Sequence, residues 1–252
     1  MITSRPDLPR RLLAEFLGTA LLVTAVVGSG IMAVQLSPGQ VGLQLLENSI
    51  ATMLALTVLI LVLGPVSGAH FNPVVTLSDW WLHRRDPAVL SMADIAAYIV
   101  AQIAGAISGA ILANVMFGLD AVSWSTKLRD TPHLWLGEVV ATAGLVFLIF
   151  AMVRTHRAHL AAPAVGAYIG AAYWFTSSTS FANPAVTIGR TFTNTFAGIS
   201  PSSVPGFIVA QLLGAIVAVV LVVALYPRPQ SVTTDTAAID PAAEPVRTGS
   251  NP

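Results

Sequence analysis

Two asparagine–proline pairs, Asn72-Pro73 and Asn183-Pro184, are the residues of this 252-residue chain best suited to chemistry. An asparagine oxygen caps the first turn of a helix and proline fits the first helical position, so each pair reads as a helix start. The residues that follow, Val74-Val75-Thr76-Leu77 and Ala185-Val186-Thr187-Ile188, are apolar but too few to cross a bilayer alone. The first piece, residues 72 to about 82, covers about 16 Å at about 1.5 Å per residue, half a membrane. It is expected to be a re-entrant half-helix buried against protein. Where two such N-termini meet, their dipoles place two partial positive charges, and each asparagine amide can turn a donor into the space between. That arrangement suits a neutral solute that accepts hydrogen bonds. It repels a cation, and it orients a passing water so that the wire for proton hopping is broken.

Two acids stand inside apolar surroundings, Glu15 and Glu138. Ionisable groups in such places are functional unless shown otherwise. No nucleophile–base pair, phosphate-cradling glycine loop or zinc-ligand cluster is evident. The chain has no cysteine, so thiol catalysis, disulfides and thiolate metal sites are excluded. No metal, no cofactor and no enzymatic activity are expected. His70, two residues before Asn72, is placed in a vestibule rather than in a metal site.

The elements that must hold these residues follow from composition. Hydrophobic residues make up 55% of the chain and charged residues 10%, against about 25% charged in an average soluble domain. So few charges cannot cover a soluble globule. The net charge is zero, with no basic block, so nucleic acid is not an expected partner. Six apolar stretches, roughly residues 12–34, 43–63, 93–115, 134–153, 160–176 and 204–226, approach or exceed the span of a bilayer core. They lack period-2 alternation, which favours helices over barrel strands. The expected fold is an all-α membrane protein of six transmembrane helices plus two re-entrant half-helices. Residues 1–9 form a cytoplasmic N-terminus, residues 10–226 a channel domain, and residues 227–252 a disordered cytoplasmic tail.

Charge orients the bundle. Arg5, Arg10, Arg11, Arg84, Arg85, Arg154, Arg157, Arg228 and Arg247 fall in inner segments if both termini are cytoplasmic, leaving Lys127, Arg129 and Arg190 outside. The expected location is the inner cell membrane. The chain also repeats itself. Glu15, Asn72-Pro73 and Gln102 recur in the same order as Glu138, Asn183-Pro184 and Gln211, within repeats of about residues 10–116 and 133–226. Each repeat holds three spans, an odd number, so the second must insert upside down relative to the first.

The segments Ala14-Glu15-Phe16-Leu17-Gly18-Thr19, Ser67-Gly68-Ala69-His70-Phe71-Asn72-Pro73-Val74 and Phe181-Ala182-Asn183-Pro184-Ala185 resemble those of the aquaporins and aquaglyceroporins, the major intrinsic proteins. The resemblance covers about residues 10–226. It implies one pore per subunit, a homotetramer in the lipid bilayer, and passive flux of small neutral solutes. It also implies a midplane built by Asn72, Pro73, Val74, Asn183, Pro184 and Ala185, with Glu15 and Glu138 holding the half-helix loops.

Two departures matter. Val74 stands where the family usually has alanine, a mild change. Val186 stands where most members have the arginine of the narrowest constriction. A guanidinium there supplies donors for water and a barrier to cations; valine supplies neither, so the filter should be wider and more apolar. Spacing carries the other filter positions to Thr52, Ser180 and either Ala171 or Tyr173. Arg190, one helical turn beyond Val186 on the same face, is read first as structural, with partial return of the missing charge as the alternative. Loss of the arginine resembles a bacterial branch associated with arsenic resistance and permeable to arsenite and methylated arsenic species. Arsenite, methylated arsenicals, glycerol and water are therefore the expected solutes. An ion-coupled secondary transporter, which also uses inverted repeats, and a non-conducting junction or scaffold protein are the alternatives.

Overall fold

A computed structural model describes residues 6–86 and 89–226, and among them there is no strand. The reading of residues 227–252 as a disordered tail lies outside the described residues. Eight α-helices follow in order: α1 Leu8–Leu36, α2 Val41–Ser67, α3 Pro73–His83, α4 Met92–Met116, α5 Pro132–Arg154, α6 Ala161–Phe175, α7 Pro184–Gly189 and α8 Val204–Leu225. Both halves therefore read long, long, short, long. Helices α1, α2, α4 and α5, and α8 with the turn before it, are long and apolar enough to cross a membrane. Helix α6 has 15 residues. This is a multi-pass membrane protein.

Helix α1 packs most extensively on α4, and α5 on α8. Small residues set both crossings. A Cβ at Gly105 or Gly109 of α4 would collide with the carbonyl oxygens of Phe16 or Ala20 on α1, and one at Gly214 of α8 with that of Val139 on α5. Without a hydrophobic drive between helices in lipid, such backbone approach supplies the packing energy. The outer face of α2 leaves Ile50, Leu54, Val58, Leu61 and Val62 exposed.

The two short helices lie between these pairs. Helix α3 touches α4, α5 and α8; α7 touches α1, α4 and α8; and α3 touches α7. Each starts as its sequence requires. Asn72 and Asn183 are extended N-caps with proline at the helix start, and Asn72 Oδ1 accepts from Val74 N at 3.0 Å. Asn183 Oδ1 accepts from Ala185 N at 3.0 Å and Val186 N at 3.3 Å.

Candidate functional site

The loops that deliver the two asparagines are conformationally costly. Gly68 ends α2 at φ 94°, and Ala69 and Phe71 follow at φ 50° each. Before α7, Thr179, Ser180 and Ala182 stand at φ 63°, 51° and 49°. Left-handed backbone costs a non-glycine residue roughly 1–2 kcal/mol, so something must hold these loops.

Buried acids do. Glu15, fully buried, accepts from Ser67 Oγ at 2.6 Å, His70 N at 3.0 Å, Phe71 N at 2.7 Å and Gln102 Nε2 at 2.8 Å. Glu138, also fully buried, accepts from Phe181 N and Ala182 N at 2.8 Å each and from Gln211 Nε2 at 2.6 Å. A buried backbone N–H left unpaired costs about 1–3 kcal/mol, so each carboxylate offsets the strain of its loop.

Sequence reasoning noted Gln102 and Gln211 as repeated positions without a role, and gave Thr76 and Thr187 none. The structure joins all four to the acids. Gln102 Nε2 also donates to Thr76 Oγ1 at 3.0 Å, which donates to the Asn72 carbonyl at 3.1 Å. Gln211 Nε2 donates to Thr187 Oγ1 at 2.9 Å, which donates to the Asn183 carbonyl at 2.8 Å. The signal was present: polar residues recur at matching places inside otherwise apolar helices.

The asparagine amides cross between the loops. Asn72 Nδ2 donates to the Ala182 carbonyl at 2.8 Å, and Asn183 Nδ2 to the Phe71 carbonyl at 2.7 Å. An amide nitrogen carries two hydrogens, so one on each side chain is committed and one remains. Both side chains line a single cavity of about 530 Å³. Pro73, Val74, Pro184 and Ala185 are buried behind them.

The cavity runs from His159, in the turn before α6, past His70 and the asparagines to Thr52, Tyr173, Ser180, Val186 and Arg190. One wall is aliphatic, with Leu22, Val26, Leu56, Leu145, Val165 and Ile169 among its residues. Spacing left Ala171 and Tyr173 open. Tyr173 is buried and lines the cavity, whereas Ala171 is exposed on the other side of α6. The Tyr173 hydroxyl pairs with Thr52 Oγ1 at 3.2 Å. Ser180 is buried, and its Oγ has no hydrogen-bond partner. His70 Nδ1 stands 3.1 Å from Thr76 Oγ1. That hydroxyl spends its proton on the Asn72 carbonyl, so Nδ1 donates to it.

Beyond Val186, Arg190 is buried against the Phe181 ring, its guanidinium carbon 3.4 Å from the centroid, and its Nε donates to the Ala197 carbonyl. Arg129, from the loop before α5, lies over the same ring at 5.0 Å and donates to the Gly198 and Ser178 carbonyls at 3.3 and 3.2 Å. Neither was assigned to the site from sequence. In that loop Lys127 is pushed down to about 8, by desolvation first and then by the Arg129 and Arg190 charges. Among the described residues no group of three or more metal-ligating side chains converges.

Comparisons with known proteins agree with this architecture. The family described as Major intrinsic protein matches residues 2–181 and 159–248. The chain is 55% identical over 216 residues to the aquaglyceroporin AqpS of Rhizobium meliloti, covering 85% of this chain and 89% of that one. It is 35% identical over 222 residues to the glycerol uptake facilitator protein-like 6 of Lactiplantibacillus plantarum, covering 83% of this chain and 94% of the other. The X-ray structure of the aquaglyceroporin from Plasmodium falciparum shares the fold, with a TM-score of 0.62 at 22% identity over 86% of this chain and 96% of that one. The chain belongs to the major intrinsic protein family, whose members are membrane channels and not enzymes.

Proposed function

We propose that this protein is a passive channel for small uncharged solutes. The observation that carries the reading is the convergence of the two asparagines, each capping a half-helix and each keeping one amide hydrogen, on one cavity with an aliphatic wall. A neutral solute slides past the aliphatic side while its oxygens accept from the amides. Cations meet a positive potential at the two helix N-termini. Water held by both amides donates its protons away from the pair, so proton hopping stops there. The name of the most similar relative quoted above, an aquaglyceroporin, supports solutes larger than water.

Thr52, Tyr173, Ser180 and Val186 form the filter in this reading. Three hydroxyls and one aliphatic residue match polyhydroxylated neutral solutes, and the valine leaves room that an arginine would fill. Glycerol and arsenous acid fit that chemistry, and methylated arsenicals extend it. His70 lines the inner vestibule. The matching networks of Glu15–Gln102–Thr76 and Glu138–Gln211–Thr187 support an inverted repeat of three spans each within residues 10–226. With both termini inside, the outer mouth lies beyond Val186. Membership of the family supports assembly as a homotetramer in the inner cell membrane; cross-linking in lipid that yields only monomers would count against it.

Stopped-flow measurement of water, glycerol and arsenite on purified protein in liposomes tests the channel reading. Flux above empty liposomes without any ion gradient supports a channel. Flux that requires a gradient favours a coupled transporter, and no flux favours a scaffold.

A further inference from the structure

We propose that Arg190 is the cation-excluding charge of this pore, set one helical turn beyond Val186, so that the residue controlling width and the residue controlling charge are separate. The inference rests on the channel reading above. Arg190 lines the same cavity as Val186, Ser180 and Tyr173. Four residues along the helix place it about 6 Å further toward the outer mouth.

Its charge is not held in a direct ion pair. Among the described residues no carboxylate lies within ion-pairing distance of Arg190 or Arg129. Glu138, the acid whose field reaches both, has its oxygens committed to Phe181 N, Ala182 N and Gln211 Nε2. Guanidinium keeps its charge at any physiological pH. It is held without being neutralised: the Phe181 face carries it and the Ala197 carbonyl takes only Nε. An aromatic face and a carbonyl orient a cation, yet they leave its field in the cavity. Arg129 on the same ring adds a second positive charge.

A capping role at the end of α7 is compatible with this placement, because cations are favoured at helix C-termini. It does not account for a buried guanidinium that reaches the cavity wall. The arrangement gives a mouth that passes bulkier neutral solutes, because Val186 is short, and still rejects cations, because the charge remains in reach.

The test uses the full-length protein in liposomes, with sodium and glycerol flux measured on the same preparations. Arg190→Gln should raise the sodium-to-glycerol flux ratio about tenfold or more, and Arg190→Lys should hold it near the wild-type value. Arg190→His reads the charge within one folded protein: its ratio should rise with pH as the imidazole loses its proton, below the ordinary imidazole range because burial and the Arg129 charge disfavour the charged form. The groups facing that position, Lys127, Arg129, Glu138 and Tyr173, are present in the wild type, whose own pH profile is subtracted. An Arg190→Gln protein that passes glycerol but no more sodium than wild type overturns the proposal. So does an Arg190→His ratio that stays at the wild-type value at every pH, which decides the matter if Arg190→Gln fails to assemble. A wild type that passes no glycerol overturns the channel reading itself, and this proposal with it.

Discussion

The side-chain amide of Asn72 donates to the carbonyl of Ala182 across 2.8 Å, tying the start of one half-helix to the residue just before the other. Asn183 returns the bond to the Phe71 carbonyl at 2.7 Å. Neither asparagine therefore only lines the cavity. Each is also a rivet between two strained loops, and the geometry of one depends on the other.

Replacing either asparagine with aspartate removes the donor of that bond and sets a carboxylate against a carbonyl oxygen. Loss of one buried hydrogen bond costs about 1–3 kcal/mol, and the new negative charge offsets the half-helix potential. Asn72→Asp and Asn183→Asp should each depress glycerol flux in liposomes and admit sodium. Unchanged flux and unchanged ion leak in both would contradict the shared midplane.

Glu138→Gln keeps the shape of the side chain but replaces one acceptor oxygen with an NH₂ group facing backbone N–H donors. The strained backbone at Thr179, Ser180 and Ala182 loses its anchor. A drop of about 5 °C or more in the midpoint of thermal unfolding in detergent is expected, at about 2–4 °C per kcal/mol for a chain of this size. Glu15→Gln should behave alike. A proton-relay role would instead leave stability intact and change proton flux.

Much of this was legible in the sequence because bilayer crossing imposes length and repeats impose order. Helices fall over all six apolar stretches, five of them long enough to cross a membrane and α6 shorter at 15 residues, and Asn-Pro marked the starts of both short helices. What the sequence could not supply was depth in the third dimension. Ala171 and Tyr173 are two residues apart on one helix, and only the packing of α6 decides which faces the cavity. The link from Glu15 through Gln102 to Thr76 joins three helices whose spacing along the chain has no regular period. Arg129 comes from a loop whose path no periodicity predicts, so its meeting with Arg190 over Phe181 had no sequence signature.

Gly109 stands where a side chain would strike the Ala20 carbonyl of α1. Gly109→Val should separate α1 from α4 at a cost of about 1–3 kcal/mol or more. The expected result is a lower yield of folded protein in the membrane and a lower unfolding midpoint. A variant as stable as wild type would show that this crossing is looser than described.

Tyr173→Phe removes the hydroxyl that pairs with Thr52 and leaves the ring in place. If these hydroxyls recognise the solute, glycerol flux should fall about threefold more than water flux, since one hydrogen bond is worth about 0.5–1.5 kcal/mol. Equal effects on both solutes would assign Tyr173 to packing alone.

Val186 bears most directly on the solute range. It is 5% exposed and lines the cavity beside Ser180 and Tyr173. Val186→Arg would put a long, charged side chain into that space, next to the existing Arg190. The measurement is the ratio of arsenite and glycerol flux to water flux, taken by stopped flow on wild-type and Val186→Arg liposomes. A fall of about tenfold in the ratio for both larger solutes, with water flux reduced less, is the expected result for a neutral-solute filter widened by valine. A ratio unchanged by the substitution would contradict it and remove Val186 from the filter.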